Sequence, residues 1–152
     1  MTGARISWPA TLAKKLASLS GNVGMSAEHL SWLFSGAEIE RLATTLRQYF
    51  DAIEVIVYIR RQDKQAISHH QQGSRSPWVA GSLYYSGNCR ALPYGRENYD
   101  EYLDYSSRLG LWRNSFSVEQ ITIRVFEPSF LKDGDPVADF LEILGLPCTS
   151  PL

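Results

Sequence analysis

Arg60 and Ser68 are the residues whose types and spacing most clearly suggest chemistry. The stretch VYIRRQDKQAISHH, Val57 to His70, ends an apolar run in two arginines and places a serine eight positions after the first of them. A guanidinium, a hydroxyl and the first backbone N–H groups of a helix are donors that suit a phosphate or a sulfate. Each charge-assisted hydrogen bond of this kind contributes about 1.5–3 kcal/mol net. The stretch therefore predicts an anion-binding site.

The elements around this stretch predict a strand followed by a helix. Ala52 to Ile59 is nearly continuous in β-branched and aromatic residues, as is typical of a parallel strand buried on both faces. Gln62 to Gln72 has a helical pattern that Gly73 would end. In an open parallel sheet, ligands bind beyond the carboxyl ends of the strands, which is where Arg60 would lie. The residues predicted to face the sheet from the helix are Ala66, Ile67 and His70.

An ordinary surface is the alternative interpretation of these residues. Arg60 would then pair with a carboxylate such as that of Asp63, and Ser68 would face solvent. Surface ion pairs are common and contribute little, so composition alone does not decide between a ligand site and an ion pair. Arg61 is interpreted as a solvated neighbour rather than a second ligand.

The rest of the chain alternates predicted helices and strands. This order predicts an α/β layer arrangement in one domain spanning residues 1–152. Residues 74–97 show no usable period and are predicted to form a long loop, whose aromatic side chains suggest a flap or a binding surface. The other predicted elements are a helical segment in residues 1–20, a short strand Asn22–Ser26, a helix Glu38–Phe50, a helix Tyr99–Phe116 and a strand Gln120–Glu127.

The last helix carries the clearest boundary signals. Asp135 is a predicted N-cap, Pro136 suits the first helical position, and Gly145 would close the helix. Its packing face is predicted to consist of four apolar residues at helical spacing: Val137, Phe140, Leu141 and Leu144.

Charge and composition restrict the classes of partner. The formal net charge is −1, so the field of the whole molecule does not attract nucleic acid, and any anion site must be local. Cys89 and Cys148 are far apart and follow no metal-binding spacing, which favours a reducing compartment. No segment is predicted to span a membrane, and Lys14 and Lys15 interrupt the apolar run that a secretory signal needs. We therefore expect a cytoplasmic protein.

Acid–base chemistry has few candidates in the sequence. Glu28 and His29 follow the predicted short strand and would lie at the same carboxyl edge as Arg60, so they are candidate general bases. The alternative is an N-terminal helix charge and an exposed imidazole. His69 and His70 are adjacent, so on a helix they point about 100° apart and cannot form a metal-binding pair. No metal site is predicted.

The segment VIVYIRRQDKQAISHH resembles the nucleotide-binding segment of PAPS-dependent sulfotransferases. In that family a strand ends in arginine, and a serine eight residues later lies on the next helix. Together they bind the 3′-phosphate of the sulfate donor, 3′-phosphoadenosine-5′-phosphosulfate (PAPS). Arg60 and Ser68 occupy those positions. MSAEHL (residues 25–30) and ITIRVFEPSFLKDGDPVADFLEILGL (residues 121–146) also resemble parts of the family, so the similarity extends from about residue 22 onward.

The resemblance implies a fold, a donor and a reaction. The fold would be a mainly parallel sheet flanked by helices, related to the P-loop nucleotide hydrolases. The reaction would transfer a sulfuryl group from PAPS to an acceptor hydroxyl, for example on a carbohydrate, with Glu28 or His29 as the base. No metal is implied.

One family element has no counterpart in the sequence. The family holds the phosphosulfate with a Gly-rich, lysine-bearing loop after its first strand, and residues 1–20 contain no such turn. The sequence therefore suggests a chain that begins downstream of that loop or has lost it. An open sheet edge would follow, and a homodimer that covers the edge is one expectation. The alternative function is a non-catalytic nucleotide-binding or interaction module.

Overall fold

The computed structural model describes residues 10–75 and 97–148. Within these ranges the chain alternates helices with two strands, and both strands lie where the sequence predicts strands. The helices are α1 (Ala10–Ala17), α2 (Gly36–Leu46), α3 (Gln62–Arg75), α4 (Glu97–Leu103), α5 (Tyr105–Ser115) and α6 (Pro136–Ile143), and the strands are β1 (Val55–Ile59) and β2 (Ile121–Val125). Short 3₁₀ helices span Glu28–Trp32, Val118–Gln120, Pro128–Phe130 and Lys132–Gly134.

β1 and β2 form a two-stranded parallel sheet in the described part of the chain. Their register runs from Val55 opposite Ile121 to Ile59 opposite Val125. The α/β class and the parallel pairing are thus confirmed. The prediction that β1 is buried on both faces is wrong, because all five of its residues are only half-buried.

The main core lies where α2 packs against α5 and the residues that follow it. Ile39, Leu42, Ala43 and Leu46 recur at the spacing of one helical face, and all four are buried. Phe116, just after α5, is buried against them. The core continues with Leu16 of α1 and Leu33. Burying each large aliphatic side chain contributes about 1.5–3 kcal/mol, so this contact positions α5.

The predicted helix Tyr99–Phe116 is two helices that meet at Asp104. The Asp104 carboxylate accepts hydrogen bonds from the backbone N–H of Ser107 at 3.1 Å and from its hydroxyl at 2.6 Å. An aspartate that caps a new helix competes with helix continuation, and this accounts for the break.

Other boundaries also differ from the prediction. Residues 22–27 form no strand, and α3 continues through Gly73 to Arg75. The predicted loop therefore overlaps α3 and α4 at its two ends, and residues 76–96 lie outside the described ranges. Among the described residues, no helix has the length and apolar character needed to cross a membrane.

α6 begins and ends as predicted but packs through a different face. Asp135 caps it by accepting a 3.0 Å hydrogen bond from the Val137 backbone N–H. Gly145 follows with a φ of +64°, a conformation that glycine adopts readily. The buried residues are Ala138 and Asp139. The predicted packing residues Val137, Phe140 and Leu144 are exposed instead, and that part of the prediction is wrong.

A buried carboxylate explains this rotation. Asp139 is 1% exposed and accepts hydrogen bonds from the hydroxyl of Tyr58 in β1 at 2.8 Å and from the backbone N–H of Lys132 at 3.1 Å. The guanidinium of Arg124 in β2 lies 3.3 Å away. Because these partners sit on the sheet and the preceding loop, they turn the polar side of α6 inward.

Candidate functional site

The candidate site lies at the carboxyl ends of β1 and β2. Arg60 directly follows β1, and Phe126 directly follows β2; the backbone N–H of Phe126 donates to the carbonyl of Ile59 at 2.7 Å. This bond continues the ladder and brings the two side chains together. The Arg60 guanidinium lies over the Phe126 ring, 4.9 Å from its centroid. The strand pairing therefore fixes the position of Arg60.

The carboxylate that could have neutralised Arg60 is engaged elsewhere. Asp63 pairs with Arg61 through two contacts, 2.7 Å and 3.0 Å, and both side chains are largely exposed. The hydrogen bonds from Arg61 lower the pKa of Asp63. The ion pair between Arg60 and Asp63, the alternative considered from sequence, is thus absent. Among the described residues, the Arg60 guanidinium has no carboxylate or carbonyl acceptor, and its contact is with the Phe126 ring.

Ser68 lies two turns into α3, on the side that faces the end of β2. Lys64 stands one turn earlier, and its ammonium binds both carboxylate oxygens of Glu127 at 2.7 Å. Glu127 directly follows Phe126. Since residues four apart are neighbours on a helix, Ser68 extends the side of α3 that Lys64 turns toward this edge. Ser68 is half-buried, and no partner for its hydroxyl occurs in the ranges that the structure describes.

His69 occupies the buried side of α3. It is 5% exposed, and its ring stacks on Trp32 at 5.9 Å and lies 5.0 Å from Tyr102. The amide nitrogen of Gln65 lies 2.6 Å from its Nε2. Burial lowers the pKa of His69 to about 4; the charge of Glu28 opposes this shift, and those of Arg108 and Arg60 add to it. His69 is therefore neutral near pH 7.

A second arginine supports the site from α5. Arg108 lies over the Tyr102 ring at 4.2 Å and donates to the carbonyl of Ser31 at 2.7 Å, which ties α5 to the 3₁₀ helix Glu28–Trp32. Burial lowers its pKa. The Tyr105 ring lies 5.8 Å from the same guanidinium. Burial raises the pKa of Tyr105, and the charges of Arg108 and Arg60 oppose this shift.

The two candidate bases differ in their relation to Arg60. Glu28 begins the 3₁₀ helix that Arg108 holds, and its charge acts on His69, which also experiences the charge of Arg60. His29 is exposed, and no contact within the described ranges links it to this group. Of the two candidate bases, Glu28 is therefore the one whose charge acts on His69.

Sequence reasoning missed the aromatic and cationic support of the site. Arg108 stands three residues after Tyr105 in α5, so these two side chains are neighbours on one side of that helix. That spacing is the signal in the sequence from which the contact between Arg108 and Tyr105 could have been predicted. His70 was predicted to face the sheet, whereas His69 is the more deeply buried of the two. Ile67, predicted to pack, is 49% exposed. In the described ranges, no three His, Cys, Asp or Glu side chains form a group that could hold a metal ion.

Comparisons with known proteins supply one distant relative. No protein-family model matches the chain, and no solved structure matches it. A protein of Archaeoglobus fulgidus, described as an uncharacterized protein, is 26% identical over 93 residues, which is 61% of this chain. The matched stretch makes up 22% of the archaeal protein, so this chain spans less than a quarter of that relative.

Proposed function

We propose that this chain is a sulfotransferase-like domain in which Arg60 and Ser68 bind the 3′-phosphate of PAPS. One observation carries the proposal: the Arg60 guanidinium stands at the end of a parallel sheet, next to a helix start, without an ion pair to a carboxylate among the described residues. A half-buried guanidinium in that position is a ready anion ligand. The resemblance of its segment to the sulfotransferase motif supports a nucleotide 3′-phosphate as the anion.

The proposed reaction moves a sulfuryl group between two oxygens. The acceptor hydroxyl, in our proposal that of a carbohydrate, attacks sulfur while the bond between sulfur and the phosphate oxygen breaks. The acceptor proton passes to a base, and 3′,5′-ADP leaves. Glu28 is the base that we favour, with His29 as the other candidate, because the charge of Glu28 reaches the group around His69.

A non-catalytic nucleotide-binding module is the second candidate, and a specific observation favours it. In the described ranges, β1 runs directly into Arg60, Arg61 and α3, and β2 into Phe126 and Glu127, so neither strand is followed by a Gly-rich turn with a lysine. The residues present thus suit the 3′-phosphate better than the 5′-phosphosulfate. The sulfotransferase fold, a cytoplasmic location and a dimer across the sheet edge also stay predictions.

Calorimetric titration of 3′,5′-ADP tests the binding claim. Wild-type protein should bind, and Arg60→Ala should weaken binding at least about tenfold, because one or two charge-assisted hydrogen bonds of about 1.5–3 kcal/mol are lost. Ser68→Ala should weaken it by less. Arg61→Ala is the matched control. It removes the same charge from the neighbouring residue, and the Arg61 side chain is already paired with Asp63.

Three results would each refute the phosphate site: no binding of 3′,5′-ADP to the wild type, equal weakening of binding by Arg60→Ala and Arg61→Ala, or equal affinity of the wild type for 3′,5′-ADP and 5′-AMP. Transfer of label from ³⁵S-PAPS to carbohydrate acceptors then separates the two candidates. Binding with transfer that Glu28→Gln abolishes supports the enzyme, whereas binding without transfer supports the non-catalytic module.

A further inference from the structure

The Phe126 ring packs against Arg60 at the carboxyl end of the sheet. Ile59 and Val125 are the last paired residues of β1 and β2, so Arg60 and Phe126 stand side by side just beyond them. The guanidinium carbon of Arg60 lies 4.9 Å from the centroid of the ring. Both residues are half-buried, so the contact is partly shielded from water. At this distance a cation and an aromatic face attract each other, and partial removal of water strengthens the attraction.

The Phe126 ring is itself held by Tyr58 of β1. Tyr58 lies two residues before Arg60, and side chains alternate between the two faces of a strand, so both belong to the same face of the sheet. The rings of Tyr58 and Phe126 meet at 90° with centroids 6.1 Å apart, an edge-to-face geometry that aromatic pairs prefer. The Tyr58 hydroxyl is in turn fixed by its hydrogen bond to Asp139 of α6. A continuous chain of contacts therefore runs from a buried carboxylate to the Arg60 guanidinium.

An aromatic ring can hold an arginine without occupying its hydrogen-bond donors. A carboxylate or a carbonyl would accept from the N–H groups of the guanidinium, and a ligand would have to displace it. An aromatic ring stacks on the flat side of the guanidinium and leaves the N–H groups in its plane available. A side chain that is already ordered also loses less conformational freedom when it binds a ligand. The contact with Phe126 thus places Arg60 and keeps it able to bind an anion.

We propose that Phe126 is a positioning residue of the anion site, which orders the Arg60 guanidinium before the ligand binds. The inference rests on the proposed function, in which Arg60 binds the 3′-phosphate of the nucleotide. Phe126 acts through Arg60 and not on the phosphate itself. Its effect on affinity therefore requires the Arg60 side chain to be present.

Calorimetric titration of 3′,5′-ADP into Phe126 variants tests the proposal. Phe126→Leu and Phe126→Met keep an apolar side chain but remove the ring, and each should weaken binding about three- to tenfold. At about 1.4 kcal/mol per tenfold this loss is about 0.7–1.4 kcal/mol, as expected for a partly buried cation–π contact. Phe126→Tyr keeps the aromatic face and should bind within about twofold of wild type. Phe130→Leu, the matched control, should do the same, because Phe130 is 67% exposed in the 3₁₀ helix Pro128–Phe130.

A double-mutant cycle separates positioning of Arg60 from a general loss of structure. When Phe126→Leu is added to Arg60→Ala, binding should weaken by less than about twofold further, because the side chain that the ring positions is absent. A ring that only stabilised the fold would cause the same loss with and without Arg60. NMR relaxation of the Arg60 Nε–H group, identified as the signal that Arg60→Ala removes, provides a readout without ligand. Its order parameter should fall in Phe126→Leu and stay unchanged in Phe126→Tyr.

The results that overturn this inference differ from those that overturn the proposed function. Wild type that binds 3′,5′-ADP through Arg60, with equal affinity in Phe126→Leu, would overturn the positioning role alone. An equal loss from Phe126→Leu with and without Arg60, or an unchanged order parameter of the Arg60 Nε–H group, would do so as well. Wild type that does not bind 3′,5′-ADP would overturn the proposed function and, with it, this role of Phe126.

Discussion

Tyr58→Phe should lower the free energy of unfolding by about 1.5–3 kcal/mol, although it removes a single oxygen atom. The Tyr58 hydroxyl donates a 2.8 Å hydrogen bond to Oδ2 of Asp139, which is 1% exposed. The substitution leaves the ring in β1 but takes a donor away from a buried carboxylate. The predicted loss is that of a hydrogen bond to a charged acceptor, because the carboxylate that loses the donor is itself buried.

The other partners of the Asp139 carboxylate limit how much stability Tyr58→Phe can remove. The Lys132 backbone N–H serves the other oxygen, Oδ1, at 3.1 Å, and Arg124 Nε stays 3.3 Å from Oδ2. The carboxylate therefore keeps its charge compensation and loses one donor. Removing the only partner of a buried charge costs about 3–5 kcal/mol, and Tyr58→Phe should cost less than that.

Urea unfolding at pH 7, followed by tryptophan fluorescence, measures the change. The midpoint should fall while the denaturant slope stays constant, since the surface exposed on unfolding is the same. Thr122→Ala is the matched control: its hydroxyl donates a 2.7 Å hydrogen bond to the carboxylate of Glu54 in the same sheet, but this bond is exposed to solvent. Thr122→Ala should lower the free energy of unfolding by less than about 0.5 kcal/mol. Equal costs for the two variants would refute the role of the buried carboxylate.

The pH dependence of the unfolding free energy is an independent test of this network, because the direction of the pKa shift of Asp139 predicts whether stability rises or falls with pH. Burial acts to raise the pKa of Asp139, but the hydrogen bonds from Tyr58 and Lys132 and the charge of Arg124 outweigh it, so the folded pKa lies below its ordinary value. This stabilisation is present above the unfolded pKa and is lost as pH falls through the folded pKa.

Tyr58 titrates with the opposite sign. Burial, followed by the contact with Asp139, raises its pKa from 10.0 to about 12. A raised folded pKa stabilises the fold below pH 10 and loses that contribution as pH approaches about 12. Tyr58→Phe should therefore remove part of the loss of stability between pH 10 and pH 12. An unchanged alkaline profile would contradict the hydrogen bond.

Two further predictions concern local features. His69 has a folded pKa of about 4 against 6.5 in the unfolded chain, so it contributes stability above pH 6.5 that is lost toward pH 4; His69→Phe should flatten the unfolding free energy in that interval, and an unchanged slope would contradict its burial as the neutral form. Asp104→Ala should cost about 1 kcal/mol in urea unfolding by removing the cap of α5, whereas Asp100→Ala, an exposed aspartate within α4, should cost less than about 0.5 kcal/mol; equal costs would exclude the cap.

Local signals in the sequence predicted most element positions. Both strands are short runs of β-branched residues, and such runs identify themselves within a window of a few residues. The break at Asp104 was missed because an aromatic stripe spans it, and the stripe alone predicts one helix. Asp135 and Gly145 were read correctly because a helix cap depends on its immediate neighbours.

The orientation of helices depended on distant residues and was not predictable in this way. Asp139 turns inward because Tyr58, 81 positions earlier, donates to it. Similarly, α3 buries His69 rather than Ile67 because Trp32 and Tyr102 supply the rings against which it stacks. A hydrophobic pattern treats aspartate as outward-facing and does not distinguish between adjacent histidines, since it contains no information about partners elsewhere in the chain.

The position of Arg60 was predictable, but its availability was not. The Arg60–Asp63 stretch contains two arginines and one aspartate, and sequence alone does not say which arginine forms an ion pair with Asp63. In the structure Asp63 pairs with Arg61, while Arg60 rests on the face of Phe126. A guanidinium carries its five N–H donors in its plane, so a ring against its face restricts the side chain and leaves those donors directed outward. The pairing of β1 with β2 thus orders the Arg60 guanidinium at the carboxyl end of the sheet without placing it in an ion pair. An anion site in a chain of net charge −1 requires such a locally available cation.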